Sequence, residues 1–226
     1  MYRDFYGLKS APFQITPDPT FFFLSASHQA ALDVMTAGIA TRQGVVALTG
    51  VSGVGKTTLV RTYLARVAPP QLTTIVLWQA PLSFLEVLTI MARRFEVQVA
   101  TDEPEALRSQ LQQRLRQECR QGRNVALIID EAQHLSRETC EQVLGLTALT
   151  PSREHPLQLV LVGQPALRQY LRTRARPRVG PRRLLHATIR PLTPAERVAY
   201  IRQRVARVAL PGGPIFTPEE GVQLSV

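Results

Sequence analysis

Eight residues, G-V-S-G-V-G-K-T from Gly50 to Thr57, carry the chemistry most plainly written in this chain. Their spacing fits G-x-x-x-x-G-K-[ST], the phosphate-binding loop of nucleoside triphosphatases. Such a loop works where a buried strand turns into a helix, because backbone N–H groups and the positive end of the helix dipole then converge on one anion. Both flanks are present. Val45, Val46, Ala47 and Leu48 form a short apolar run, and Leu59, Val60, Tyr63, Leu64 and Val67 recur at helical spacing. Gly50, Gly53 and Gly55 are expected to take positive φ and let the backbone approach a phosphate. Val51, Ser52, Val54 and Thr58 complete the cradle. The Lys56 ammonium would meet the β- and γ-phosphates, and the Thr57 hydroxyl would ligate Mg²⁺. ATP and Mg²⁺ are the expected cofactors.

A second run, N-V-A-L-I-I-D-E from Asn124 to Glu131, supplies the acid chemistry. The five apolar residues from Val125 to Ile129, ahead of Asp130 and Glu131, read as a buried parallel strand, which delivers its carboxyl end beside the phosphate loop. Asp130 is then placed to hold Mg²⁺, through water, and Glu131 to orient and polarise an attacking water. An acidic pair after a strand also starts ordinary turns; the upstream loop favours the catalytic reading. Phosphoryl transfer needs positioning and charge neutralisation, and these side chains provide both.

The elements that must position these groups alternate. Helix signals begin at Ser27, read as an N-cap, with Leu32, Met35 and Ile39 on one face. Strands are expected at 73–78, 124–131, 157–162 and 185–189, besides the run before the loop. Helices are expected at 82–95, 104–121, 137–148 with Ser136 as N-cap, and 194–209. Near-continuously apolar strands between helices predict an α/β fold with a parallel five-stranded sheet covered on both faces. The first 24 residues hold many aromatics and prolines, among them Tyr2, Phe5, Phe13, Phe21, Phe22 and Phe23, and should pack on the domain that follows.

Composition narrows the function. With 226 residues and 45% hydrophobic content, the chain can bury a proper core. Its apolar runs are too short to cross a bilayer, and no signal-peptide pattern opens it. Two cysteines and four scattered histidines offer neither a disulfide framework nor metal-ligand spacing. A cytoplasmic setting is expected. Net charge is +10, and residues 168–207 hold twelve arginines against one acid, Glu196. Such a segment suits phosphate-backbone binding, an oligomer whose arginines reach a neighbour's nucleotide, or a solvated basic loop.

The opening M-Y-R-D-F-Y-G-L-K-S-A-P-F-Q-I-T-P-D-P-T-F-F-F-L-S-A-S-H-Q-A-A-L resembles the start of the ExeA-type, or general secretion pathway A, AAA+ ATPases. The resemblance continues through the phosphate loop, D-E-A-Q-H-L at Asp130, L-V-L-V-G-Q-P-A-L at Leu159 and I-R-P-L-T-P-A-E-R at Ile189. It implies a P-loop NTPase (AAA+-like) core over 1–192 and the beginning of a helical lid over 193–226, incomplete within this sequence. It puts Gln164 at the sensor-1 position, facing the γ-phosphate or its water, and makes Arg182 or Arg183 the arginine offered to a neighbouring subunit. Ala166 departs from the family's usual glutamate. The implied role is ATP hydrolysis that energises assembly of an envelope secretion or pilus complex. The implied partners are a homo-oligomer formed through 168–207 and an inner-membrane or secretion-system component. The alternative is a DNA-binding helper ATPase of the transposition type.

Overall fold

The computed structural model describes residues 7–13, 21–66, 68–69, 71–79, 83–97, 103–147, 157–175 and 183–210. Strand β1 (Gly44–Thr49) leads into helix α2 (Lys56–Arg66), and helix α1 (Ala26–Ala40) precedes both. Then follow β2 (Leu72–Leu77), α3 (Phe84–Arg94), α4 (Pro104–Arg120), β3 (Asn124–Ile129) and α5 (Arg137–Leu146). The chain continues through β4 (Leu157–Gly163), α6 (Pro165–Tyr170), β5 (Arg183–Thr188) and α7 (Pro194–Val208). The five strands form one parallel sheet in the order β2-β3-β4-β1-β5.

Alternation along each strand sorts the core into two layers. Val45 and Ala47 of β1, Val125, Leu127 and Ile129 of β3, and Leu159 and Leu161 of β4 pack with apolar residues of α3, α4, α5 and α6. Val46, Leu48, Ala126, Ile128, Val160 and Val162 face α1 and α2. Strands β1, β3 and β4 are the central ones, which is why their sequences read as unbroken apolar runs. β2 is an edge strand, half-exposed at Thr73, Thr74 and Val76.

Helix ends follow local chemistry. Ser136 caps α5 by accepting from the Thr139 N–H, as its position suggests. Ser83 with Glu86 and Thr193 with Glu196 form reciprocal capping boxes on α3 and α7. The cap of α1 is Ser25 rather than Ser27. Both serines precede the apolar face, and only the earlier one accepts from a first-turn N–H, that of His28. Ser27 Oγ instead accepts from the N–H of Arg190, 3.2 Å away.

Two further differences bear on the site. The described aromatics of the N-terminal segment pack largely on α7 rather than on the sheet. Leu8 and Phe21 join Val205, Val208 and Ile201 in a small separate cluster, and Phe23 meets Tyr200 edge-on. The guanidinium of Arg204 lies 5.2 Å from the Phe21 ring centre and 5.3 Å from that of Tyr200, and Arg207 lies 5.9 Å from Phe21. Part of the positive charge of segment 168–207 is thus spent on cation–π packing. Strand β5 begins two residues earlier than its apolar pattern suggests, so Arg183 is its first residue and not the residue before it. Helix α6, which continues as a π-helical turn over Leu171–Ala175, has no counterpart among the expected elements.

Candidate nucleotide-binding site

The loop leaves β1 at the carboxyl edge of the sheet and enters α2 at Lys56. Gly53 has φ +79° and Gly55 φ +91°, as the spacing predicts for a backbone curling around an anion. Gly50 is a correction. It is not among the positive-φ residues, and it is glycine for want of space. A Cβ there would lie 2.6 Å from the Ile189 carbonyl oxygen and 2.8 Å from Val54 Cγ2. The loop's root is wedged against the end of β5, where the Ile189 N–H donates to the Thr49 carbonyl at 2.7 Å.

Lys56 is 5% exposed, and its Nζ donates to the carbonyls of Gly50 (3.1 Å) and Val51 (2.9 Å). No carboxylate pairs with it among the described residues. A buried ammonium with only neutral partners is a poor structural device and a good receptor for an anion. Thr57 and Asp130, which the sequence separates widely, meet here: the Thr57 hydroxyl donates to Asp130 Oδ2 at 2.6 Å. Asp130 is 1% exposed, its Oδ1 accepts the Glu131 N–H at 2.9 Å, and its own N–H donates to the Leu77 carbonyl. A hydroxyl beside a carboxylate is a hard oxygen pair that fits Mg²⁺.

Glu131 follows in the left-handed region, at φ 50° and ψ 36°. Its Oε2 accepts from the Gln133 side-chain amide at 2.5 Å. The other end of that amide, Gln133 Oε1, accepts the backbone N–H of Gln164 at 3.0 Å. Gln164 lies at the carboxyl end of β4, exposed, as the N-cap position of α6. The site therefore gathers residues 50–58, Asp130, Glu131 and Gln164 on one edge of the sheet. It does not gather the arginines. Arg183 pairs with Gly44 at the opposite end of β1, about 20 Å from the loop at roughly 3.3 Å per residue. Arg182 lies outside the described residues.

Two contributors lie inside runs that carry the family resemblance, but the sequence alone assigns no role to either. His28, on the first turn of α1, is buried and bridges α1 to the loop. Its Nε2 lies 2.8 Å from the Val54 carbonyl, which can only accept, so Nε2 carries the proton and Nδ1 accepts from the Ser25 hydroxyl at 2.6 Å. Burial lowers its pKa from 6.5, against the Val54 bond and the Glu196 charge that raise it. Gln133 is the second. A lone histidine and a glutamine after an acidic pair have no diagnostic spacing; only their contacts reveal them.

A cavity of about 780 Å³ opens beside the loop, between residues 51–55, Phe22, His28, Arg190 and Tyr200 of α7. Glu196 ties its rim, accepting the N–H groups of Thr193 and Ala26. His186 on β5 donates to or accepts from Thr49 Oγ1 at 2.8 Å, just behind the loop. Its pKa is lowered by burial and by the charges of Arg168 and Arg172. No helix among the described residues is long and apolar enough to cross a membrane.

Comparison with known proteins agrees with this geometry. The AAA domain family profile matches residues 39–171, more than half the chain. General secretion pathway protein A of Aeromonas hydrophila is 32% identical over 220 residues, which cover 97% of this chain and 40% of that protein. The expected ExeA-type resemblance therefore extends over nearly the whole sequence, while the chain spans well under half the length of that relative. Among solved structures, Cdc6p from Pyrobaculum aerophilum is similar with a TM-score of 0.67, at 16% identity over 95% of this chain and 57% of its own. The ORC2 protein of Aeropyrum pernix, solved in ADPNP–ADP complexes, gives 0.62 at 16% identity over 92% and 57%. The Walker-type ATPase paby2304 of Pyrococcus abyssi gives 0.60 at 15% identity over 95% and 66%. These likenesses establish the P-loop ATPase fold.

Proposed function

Because this chain belongs to the AAA domain family, we propose that it binds ATP with Mg²⁺ and hydrolyses it, and that turnover energises assembly of an envelope secretion complex. The observation that carries the nucleotide reading is the meeting of Thr57 with Asp130, 2.6 Å apart, beside the uncompensated Lys56. Thr57 and Asp130 would hold Mg²⁺, and the ion would supply charge neutralisation for phosphoryl transfer. This chain's own residues do the rest. Lys56 exchanges its two carbonyl partners for phosphate oxygens, and the N–H groups of the loop close around them. Glu131 orients a water and accepts its proton, with Gln164 as the sensor of the terminal phosphate. The cavity toward Phe22 and His28 has the volume of a small-ligand site and takes the nucleoside.

Arg182 or Arg183 serves a neighbour. The start of β5 lies too far from the loop of its own subunit, which supports a homo-oligomer in which each arginine completes the next site. The secretion role rests on the 32% identity to General secretion pathway protein A across 97% of this chain. It implies a membrane-associated secretion partner. A calorimetric titration with ATP and Mg²⁺ tests the site. Asp130→Asn is expected to abolish the Mg²⁺ dependence of ATP binding. An unchanged Mg²⁺ dependence would remove Asp130 from the metal site. Neighbouring genes test the role: secretin and pilus genes support it, and a transposase replaces it with the DNA-helper alternative.

A further inference from the structure

We propose that Gln133 is a positioning residue: its side-chain amide fixes the Glu131 carboxylate and ties it to the backbone at the end of β4. The inference rests on the ATPase reading above and adds to it the group through which Glu131 is held.

Three features converge on that amide. The left-handed backbone of Glu131 opens a 3₁₀ turn over Ala132–His134, closed by the His134 N–H on the Glu131 carbonyl at 3.0 Å, which brings residue 133 back beside residue 131. The amide then uses both ends, Nε2 on Glu131 Oε2 at 2.5 Å and Oε1 on the Gln164 N–H at 3.0 Å. A carboxylate only accepts and a backbone N–H only donates, so this orientation is fixed by its partners. Gly163 makes the room. A Cβ at that position would stand 2.5 Å from Gln133 Oε1 and 3.4 Å from the Gln133 nitrogen. A side chain merely filling space would require neither the left-handed residue nor the glycine.

The consequence concerns geometry of attack. Glu131 is half-buried, and no cation pairs with it among the described residues, so the Gln133 amide is the donor that restrains its carboxylate. A catalytic group displaced by about 1 Å loses on the order of a hundredfold in rate. Because the same amide bonds the backbone of Gln164, the carboxylate and the end of β4 are held as one unit.

The test is a double-mutant cycle with two variants at residue 133. Gln133→Met loses both bonds; Gln133→Glu keeps an oxygen facing the Gln164 N–H and loses the donor to Glu131. Both are expected to lower kcat at least about tenfold while ATP affinity stays within about twofold. In a Glu131→Gln background, already slow, either substitution is expected to cost less than about twofold more, since groups that act as a unit are not additive. Wild-type kcat in both variants, or losses that multiply independently in the double mutants, overturns the proposal. A second measurement needs no turnover. In ¹⁵N NMR of the full chain, the side-chain NH₂ pair that vanishes in Gln133→Glu is expected to shift in Glu131→Ala. An unmoved pair overturns the contact. If instead Glu131→Gln hydrolyses ATP at the wild-type rate, the role given to Glu131 fails, and the NMR result still decides whether Gln133 holds it.

Discussion

Replacing Lys56 by methionine should separate binding from stability if, as proposed, the ammonium serves a ligand and not the fold. In the folded chain it spends its charge on two carbonyls at 2.9 and 3.1 Å, in a setting where only 5% of the residue is exposed. Lys56→Met removes two bonds and also removes a desolvated cation. These terms oppose each other, so stability is expected to change by no more than about 1 kcal/mol in either direction. For a chain of this size that is a shift in Tm of at most about 4 °C. Binding behaves differently. Each charge-assisted bond to phosphate is worth about 1.5–3 kcal/mol, and the carbonyl bonds surrendered offset part of two such bonds. A net loss of about 1.5–3 kcal/mol is roughly a tenfold to hundredfold loss of affinity. The assay is thermal unfolding with ATP and Mg²⁺ at about a hundred times the wild-type Kd. There the ligand adds about 2.7 kcal/mol, a Tm rise of about 5–11 °C in the wild type. A hundredfold weaker variant retains about 0.4 kcal/mol, a rise of about 1–2 °C. If Lys56→Met kept the full ligand-induced rise, or if it unfolded without ligand, Lys56 would be a structural cation and the reading of the loop would be wrong.

His28 and His186 both have pKa values lowered from 6.5, chiefly by burial. Their unfolded forms take protons first as pH falls, so the stability they contribute is full above about pH 6.5 and is lost as pH drops through the folded values. Tm should therefore decline between pH 7 and 5, and less steeply in His28→Gln or His186→Asn; an identical slope in both variants would refute this origin. Substituting Arg182 and Arg183 together by alanine should abolish any rise of ATPase rate per subunit with protein concentration while sparing ATP binding. A flat wild-type rate, with duplex DNA affinity that falls with salt at a slope of about −0.9 per contacted phosphate, would favour the DNA-helper alternative instead.

The central sheet was legible because β1, β3 and β4 are buried on both faces and leave an unbroken apolar signature. Edge strand β5 was harder, since Arg183 opens it with a charge and hides its start. Helix α6 is six residues long and continues as a π-helical turn, too short to show a period. At the site, residues 50–58 are proposed from their spacing and Asp130 from its place at the end of an apolar strand, and the structure brings Thr57 and Asp130 together. The reason for Gly50 could not be read from spacing, because the nearest atom it avoids, a backbone oxygen, belongs to Ile189, far along the chain. His28 and Gln133 stand in runs that carry the resemblance, yet what each does could not be read there, for the same reason: each acts through a contact across the fold, with Val54 and with Gln164. Segment 168–207 reads as basic residues offered to phosphate, to a neighbouring subunit or to solvent, and two of its arginines, Arg204 and Arg207, instead lie over the ring of Phe21.

Phosphate release by the wild type and by Glu131→Gln, each at saturating ATP and Mg²⁺ with ATP affinity determined on the same preparation, tests the proposed activity most directly. Glutamine keeps the size and hydrogen-bonding capacity of residue 131 and removes the charge that would accept a proton from water. The wild type is expected to turn over, and the variant to bind ATP with unchanged affinity while releasing phosphate at least about a hundredfold more slowly, the lower end of a general base's contribution. Equal rates in the two proteins would contradict the assignment of this edge of the sheet as the hydrolytic site.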